Sequence, residues 1–181
     1  MRKLVATEYL SLDGVFEEPG HWSFPYFSDD AGRFKYDELF AADALLLGRL
    51  TYEGFAAAWP TMQGTGEFGE RMNGMAKYVV SSSLQNPAWT NSQVITGDVE
   101  AEVGALKDRP GMDILLAGSG QLFRHLMAAN LIDEYRFMVH PIILGSGKKL
   151  FADGAERRPL QLAGTQVLTS GILVLTYHPA P

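Results

Sequence analysis

One short segment combines a glycine, an arginine and a threonine in a way that suits phosphate binding. Residues 45–55, LLLGRLTYEGF, place Gly48, Arg49 and Thr51 between an apolar run and a helical pattern. The first turn of a helix offers free backbone N–H groups and the positive end of the helix dipole, and both attract an anion. Arg49 adds a charged fork for phosphate. The alternative interpretation is a plain strand-to-helix turn with a surface arginine.

Two further segments place small polar residues at strand ends. Residues 78–84, YVVSSSL, end an apolar run with Ser81 and Ser82, whose hydroxyls can contact ribose or phosphate oxygens. Residues 114–123, ILLAGSGQLF, pass from an apolar run through two glycines into a helix. Glycine lets a backbone approach a pyrophosphate closely, although this segment is neither a Walker A loop nor a full GxGxxG motif. Taken alone, each segment is also explained as an ordinary turn.

The elements that position these segments alternate along the chain. Periodicity and turn residues predict strands over residues 4–10, 44–47, 78–81, 94–96, 113–117, 131–139, 160–169 and 172–178. They predict helices over 27–42, 50–59 and 98–106, the last capped by Asp98, and a helix from the Gly118 turn to residue 130. They predict a loop over 61–69, followed by one helical turn up to residue 74. This order indicates an α/β fold whose sheet is mainly parallel, with an antiparallel C-terminal hairpin. Ligands of such sheets bind at the carboxyl ends of the strands, so the three segments together predict a bound dinucleotide.

Composition limits the classes of function. A chain of 181 residues is expected to form one domain, residues 1–181. The net charge of −6 argues against nucleic-acid and anionic-membrane partners. The absence of cysteine excludes disulfides and thiolate metal sites, and the four histidines lack metal-ligand spacing, so no metal is expected. No apolar run reaches the roughly 18 residues of a membrane span, and the N-terminus lacks a signal-peptide pattern, so we expect a cytoplasmic protein.

The motifs resemble a known superfamily. GRLTYEG is similar to the GRxTYE signature of dihydrofolate reductases, and VVSSSL and AGSGQLF are similar to their cofactor segments in order and spacing. SLDG at residues 11–14 and the segment 131–151 resemble the reductase domain of bifunctional riboflavin-biosynthesis enzymes. The likeness covers nearly the whole chain. It implies a three-layer α/β/α dihydrofolate-reductase-like fold, nearest to stand-alone riboflavin-type reductase domains, and hydride transfer from NADPH to a small pteridine- or pyrimidine-like substrate in a homodimer.

The resemblance also implies roles for individual residues. Asp13, Gly14 and Trp22 would border the nicotinamide and the substrate. Gln121 stands where many folate reductases have an arginine, and Val15 stands where a basic residue is expected after SLDG. The residues that would hold the cofactor are Gly48, Arg49, Thr51, Ser81, Ser82, Gly118, Ser119, Gly120, Gln121 and Leu122.

A reductase of this kind also needs a proton donor. A carboxyl group in an apolar pocket has a raised pKa and suits that task. Asp29 and Asp30 fall near the position of the acidic residue of folate reductases, and Asp13 is a further candidate. The alternative for Asp30 is a first-turn acid that favours the helix dipole. Two other functions remain open: a non-catalytic NADPH-binding dimeric module, and a dimeric scaffold without a cofactor.

Overall fold

A sheet of eight strands forms the centre of the molecule. The computed structural model describes residues 1–151 and 153–181. The strands follow the spatial order β4-β3-β2-β5-β1-β6-β8-β7, in which neighbouring strands are parallel from β4 to β6 and antiparallel from β6 to β7. This confirms the predicted sheet and its C-terminal hairpin. The strand bounds are β1 Leu4–Ser11, β2 Ala42–Gly48, β3 Ala76–Val80, β4 Ser92–Ile95, β5 Asp113–Ala117, β6 Glu134–His140, β7 Leu160–Val167 and β8 Leu173–Pro179.

Within the described part of the chain, five α-helices cover the two faces of this sheet. Their bounds are α1 Asp29–Phe40, α2 Arg49–Ala58, α3 Gly66–Gly74, α4 Val99–Asp108 and α5 Gly120–Ala128. The prediction of a loop over 61–69 was wrong from residue 66 onward, where α3 begins and buries Met72 in the core. The predicted helix 27–42 was too long at both ends, because Phe27 follows a 3-10 turn and Ala42 starts β2.

The core lies on both sides of the sheet, as alternation along β1 shows. Leu4, Ala6 and Leu10 belong to a core cluster shared with α4 and α5. Val5 belongs to a second cluster, which is shared with α1, α2 and α3. Successive side chains of a strand point to opposite faces, so β1 contributes to both clusters. The result is the three-layer α/β/α arrangement that the resemblance implied.

A buried ion network fixes α1 to the sheet. Glu38 of α1 is almost fully buried and accepts a hydrogen bond from Thr7 Oγ1 at 2.9 Å. It also pairs with Lys35 of the same helix and with Arg136 of β6. Burial lowers the pKa of Lys35, but the neighbouring Glu38 and Tyr9 outweigh this effect and raise it above its ordinary value. The network therefore holds its charges together and sets the position of α1 over β1 and β6.

Among residues 1–151 and 153–181, no helix combines the length and the apolar character that crossing a membrane requires.

Candidate coenzyme and substrate site

At the carboxyl end of the sheet, β1 pairs with β6 over more residues than it pairs with β5. The last β1–β5 pair is Thr7 with Ala117, whereas β1 continues beside β6 as far as the pair Ser11 with His140. Residues 8–11 of β1 therefore have no β5 partner. We call the space above the end of β5, between residues 8–11 and the end of β2, the β5 recess. A planar group that enters this recess edge-on would meet β1 backbone that the sheet leaves unpaired on the β5 side.

Hydroxyl groups fix the turn that leads from β5 to α5. Gly118 and Ser119 both adopt left-handed backbone conformations, with φ of 53° and 60°. This conformation costs a non-glycine residue about 1–2 kcal/mol, so Ser119 needs support from its neighbours. Ser119 Oγ accepts from Gly48 N at 2.8 Å and donates to Ala117 O at 3.0 Å, while Ser119 N donates to Thr51 Oγ1 at 3.0 Å. The Thr51 and Ser119 hydroxyls thus tie the ends of β2 and β5 together.

Two helices start at this edge without a side-chain cap. Helix α4, which follows β4, is capped by Asp98, whose carboxylate accepts from Glu100 N and Ala101 N at 3.1 Å each; this confirms the predicted N-cap. No side chain of the described residues caps α2 or α5, whose N-caps are Gly48 and Ser119. Their first-turn amides therefore have no side-chain acceptor among the described residues, and helix N-termini are common phosphate sites.

The end of β3 lies next to the start of α2. Gly48 and Val80 form the last pair between β2 and β3, so Arg49 and Ser81 follow at adjacent positions. Ser81 is nearly buried, and its Oγ accepts from Ser83 N at 3.1 Å and Leu84 N at 2.9 Å. Ser82 is exposed, and Arg49 is partly exposed with a 3.0 Å ion pair to Glu53. Ser81 thus shapes the turn, whereas Ser82 and Arg49 face solvent.

The structure brings all ten residues of the predicted cofactor set to one edge of the sheet. Gln121 is exposed at the start of α5, while the side chain of Leu122 is buried in the core, so Leu122 can offer only its backbone amide to a ligand.

Phe16 covers the start of α5. Sequence reasoning missed this residue, which belongs to no motif. A Cβ built on Gly120 would lie 2.3 Å from Cζ of Phe16, so the ring rests directly on the glycine backbone. Phe16 lies in the segment after β1, and its N–H donates to Lys148 O at 3.0 Å. The loops after β1 and β6 are therefore joined where they approach α5.

We expect Gly120→Ala to lower the free energy of unfolding by about 1–3 kcal/mol, because the added methyl group overpacks the Phe16 contact. The matched control is Gly104→Ala in α4, where an added Cβ meets no atom of the described residues within 4 Å. That change should raise stability by about 0.5–1 kcal/mol through helix propensity. Urea denaturation measures both. In a double-mutant cycle, Phe16→Ala should reduce the cost of Gly120→Ala; equal costs in both backgrounds would contradict the contact.

A cleft of about 240 Å³ opens between the loops that follow β1 and β6. Trp22 forms one wall, and its indole Nε1 donates to Glu17 O at 2.9 Å. The Trp22 ring packs edge-on against His140, with ring centroids 5.1 Å apart. Burial lowers the pKa of His140, so the imidazole is neutral near pH 7. The cleft is lined by Val15, Glu17, Glu18, His21, Trp22, Leu144, Ser146 and Gly147.

Asp13 joins the two loops that form this cleft. Its carboxylate accepts from Ser11 Oγ at 2.7 Å, Leu144 N at 3.1 Å and Gly145 N at 2.9 Å. These bonds, led by the one from Ser11, lower the pKa of Asp13 to about 2. Gly14 makes the turn beside it with a φ of 84°. Of the three predicted substrate residues, Trp22 lines the cleft, while Asp13 and Gly14 hold its walls in place.

The two predicted proton donors lie at the start of α1. Asp30 accepts from Ser28 Oγ, from Thr169 N at 2.7 Å and from Thr169 Oγ1 at 3.0 Å. These bonds, with Ser28 the largest contributor, lower the pKa of Asp30 to about 2. Asp29 is exposed at the helix start. Asp30 therefore remains ionised at neutral pH and ties α1 to the β7–β8 turn, an arrangement that does not favour proton donation.

Glu8 is a buried acid that sequence reasoning did not select. It is 3% exposed, and its Oε1 has no hydrogen-bond partner among the described residues. An unpaired buried polar group costs about 1–3 kcal/mol, so the fold is less stable for its presence. Burial raises the pKa of Glu8 well above its ordinary value; Lys35 lowers it in part and Glu38 raises it further. The available signal was a lone charge inside the apolar run LVATEYLS.

Comparison with solved structures identifies the fold. A protein from Shewanella sp. PV-4 named for riboflavin biosynthesis superposes with a TM-score of 0.79 and 18% identity, covering 99% of both chains. Dihydrofolate reductase from Enterococcus faecalis, solved with NADP(H), superposes with a TM-score of 0.65 and 18% identity, covering 99% of this chain and 97% of that one. The chain thus has the dihydrofolate-reductase fold.

The sequence comparison is more specific. The RibD C-terminal domain family matches residues 2–174, and the chain belongs to this family. The uncharacterized protein YyaP of Bacillus subtilis is 30% identical over 181 residues, covering 98% of this chain and 95% of YyaP. Family and fold together define a reductase-like protein of the riboflavin-biosynthesis type.

Proposed function

We propose that the protein is an NADPH-dependent reductase that transfers a hydride to a small planar heterocycle of the pteridine or pyrimidine type. The observation that carries this proposal is the pair of uncapped helix N-termini, α2 and α5, beside the β5 recess and at the same edge as the cleft. The coenzyme supplies the hydride, while the chain binds and orients the reactants.

The features that fit a dinucleotide follow one another along the edge. Exposed Ser82 and Arg49, after β3 and β2, suit a phosphorylated adenosine. The amides at the starts of α2 and α5 suit the pyrophosphate, because two helix dipoles point at one region. The β5 recess beside β1 then suits the nicotinamide. Neighbouring strands lie about 4.8 Å apart, so the run from β3 to β1 covers about 14 Å of an extended molecule.

The cleft at the end of β1 and β6 suits the substrate. Trp22 offers an aromatic surface for a planar ring, and its position is fixed by Glu17 and His140. The Asp13 bonds to Leu144 and Gly145 keep the two loops at a constant separation. These residues therefore position the ring that accepts the hydride and exclude water from one side of it.

The direct test has two steps. Isothermal titration calorimetry with NADPH and NADH measures coenzyme binding, and loss of absorbance of the reduced nicotinamide measures turnover with a panel of pterins and aminopyrimidines. We expect binding and oxidation with at least one compound. Binding without turnover across the panel supports the alternative, a non-catalytic NADPH-binding module. No binding of either coenzyme refutes the proposal.

We expect Arg49→Ala to weaken NADPH binding about tenfold while changing NADH binding less than twofold. The variant lacks the guanidinium that would make a charge-assisted bond to the 2′-phosphate, a group that NADH does not carry. Arg49 is partly exposed and pairs only with its helix neighbour Glu53 among the described residues, so the variant should fold. Arg109→Ala, an exposed arginine at the C-terminal end of α4, is the matched control. Equal loss of affinity for both coenzymes would remove Arg49 from the 2′-phosphate site.

We also propose that two copies of the chain associate through the β7–β8 hairpin. β7 is an outer strand of the sheet, and Leu162, Val167 and Leu173 of the hairpin are 53%, 74% and 40% exposed. An exposed apolar edge strand favours pairing with another chain. Light scattering should give the mass of a dimer, and Val167→Lys should shift it toward a monomer. A monomer at all concentrations refutes the association.

A further inference from the structure

Glu8 lies on β1 next to the β5 recess. It is the first residue of β1 beyond the last β5 pair, Thr7 with Ala117, and therefore lies beside Gly118. Its pairing partner on β6 is Phe137, a member of the core cluster that also contains Ala6 and Leu10. By strand alternation, the carboxyl group points to the face covered by α4 and α5.

The surroundings of Glu8 favour the neutral form of the acid. The charged groups that act on it, Lys35 and Glu38, both belong to α1 on the opposite face of the sheet. Its own face offers the apolar residues Ala6, Leu10 and Phe137. Burial raises the pKa of Glu8 well above that of an ordinary carboxyl. A neutral carboxylic acid has one O–H donor and one carbonyl acceptor side by side, and Oε1 has no partner among the described residues.

We propose that Glu8 binds the carboxamide of the nicotinamide ring in the β5 recess. The acid O–H donates to the carboxamide oxygen, and the acid carbonyl accepts from the carboxamide N–H. This inference rests on the proposed coenzyme site. In that site the uncapped start of α5, next to Gly118, would hold the pyrophosphate, and the nicotinamide would then lie beside β1. A carboxamide is the one donor-and-acceptor group that the ring carries.

The geometry favours this role over proton donation to the substrate. Trp22, which forms one wall of the cleft, packs against His140. His140 and Met138 are two residues apart on β6, so their side chains lie on the same face of the sheet. Met138 belongs to the cluster that includes Ala31 and Phe34 of α1. The cleft is thus backed by the α1 face, whereas Glu8 points to the α5 face. A carboxyl group on that side faces away from the cleft, which favours a role beside β5.

The experiment compares Glu8→Leu with Glu8→Gln and uses two ligands. NADPH tests the whole site, and 2′-phospho-ADP-ribose tests the same site without nicotinamide. We expect Glu8→Leu to weaken NADPH binding about tenfold or more, since two hydrogen bonds are lost, and to leave 2′-phospho-ADP-ribose binding unchanged. Glu8→Gln keeps a donor and an acceptor, so its NADPH affinity should stay within about threefold of wild type.

A pH series and an NMR titration add independent readouts. Wild-type affinity for NADPH should fall as pH rises through the Glu8 pKa, because the carboxylate can no longer donate, while Glu8→Gln should show no such fall. In the free protein, the ¹³C signal of the Glu8 carboxyl, assigned by its loss in Glu8→Gln, should titrate above the other glutamates. An ordinary titration of this carboxyl overturns the inference.

The outcomes separate this inference from the proposed function. If wild type binds neither ligand, the coenzyme site itself is refuted, and the Glu8 role with it. If wild type binds both and Glu8→Leu changes neither or weakens both equally, the coenzyme site stands and the Glu8 role is overturned. Thermal melts confirm that the variants are folded; Glu8→Leu removes an unpaired polar group, so its melting temperature should not fall.

Discussion

Replacement of Glu38 by leucine is expected to lower the free energy of unfolding by about 3–5 kcal/mol, the cost typical of removing one partner from a buried ion pair. Glu38 is 3% exposed and accepts from Thr7 Oγ1 at 2.9 Å. Lys35 and Arg136, with side chains 20% and 17% exposed, would lose their shared carboxylate. The Lys35 charge would then face the apolar leucine with little access to water, whereas Arg136 keeps its pair with Glu134.

The substitution should also disturb the proposed coenzyme site, because this network holds α1 over β1 and β6. Urea denaturation gives the free energy, and NADPH titration of the folded variant reports on the site. The matched control is Glu156→Leu, which breaks a pair with Arg158 in which the Glu156 side chain is 85% exposed. That change should alter stability by no more than about 0.5 kcal/mol. Equal effects of the two substitutions would show that the Glu38 network contributes nothing to the fold.

Lys77→Met should be similarly costly, lowering the free energy of unfolding by about 3–5 kcal/mol, because three buried carbonyls lose their donor. Lys77 is 0% exposed at the start of β3. Its ammonium donates to Asn73 O at 2.7 Å, Met75 O at 2.8 Å and Thr90 O at 2.9 Å. It also lies 4.3 Å from the centroid of the Trp89 ring. Methionine fills a similar volume but offers no N–H group.

This lysine should also give stability a characteristic pH dependence. Burial lowers the pKa of Lys77 from 10.5 to about 8. Because the depressed value belongs to the folded state, the folded protein releases this proton more readily than the unfolded chain. The free energy of unfolding of wild type, relative to that of Lys77→Met, should therefore rise as pH increases from about 8 to 10.5. Below pH 8 this difference should be lower and constant. Chemical denaturation at several pH values measures the difference.

The control for Lys77 is Lys149→Met at an exposed position. The difference between wild type and this variant should stay small and flat across the same pH range. A flat profile for Lys77→Met as well would mean that the buried amine keeps an ordinary pKa. A variant as stable as wild type would show that the three carbonyls find other donors.

Neither Asp13 nor Asp30 suits proton donation, because both accept several hydrogen bonds and are ionised at neutral pH. Glu8 has a raised pKa but lies on the face away from the cleft. His140 packs against Trp22 of the cleft wall, and its Nδ1 lies 2.9 Å from Met138 O, which leaves Nε2 as an acceptor rather than a donor.

Local sequence patterns were enough to predict the order of the elements and the edge at which the polar segments meet. Apolar periodicity, glycine positions and the Asp98 cap are local signals, and parallel strands necessarily deliver residues such as Gly48, Ser81 and Gly118 to the same edge. Local signals failed where contacts between distant residues determine the structure. The glycines near the start of α3 predict a loop, but the helix begins at Gly66 and its Met72 packs in the core.

The contacts of each polar group, in contrast, depend on how the chain folds. Asp13 meets Leu144 and Asp30 meets Thr169, contacts across more than a hundred residues that no local pattern encodes. The same holds for Glu8, whose neutrality comes from enclosure by distant strands. The pKa and hydrogen bonds of a side chain depend on the atoms that folding places around it, so residue type and spacing can locate an edge but cannot assign its chemistry.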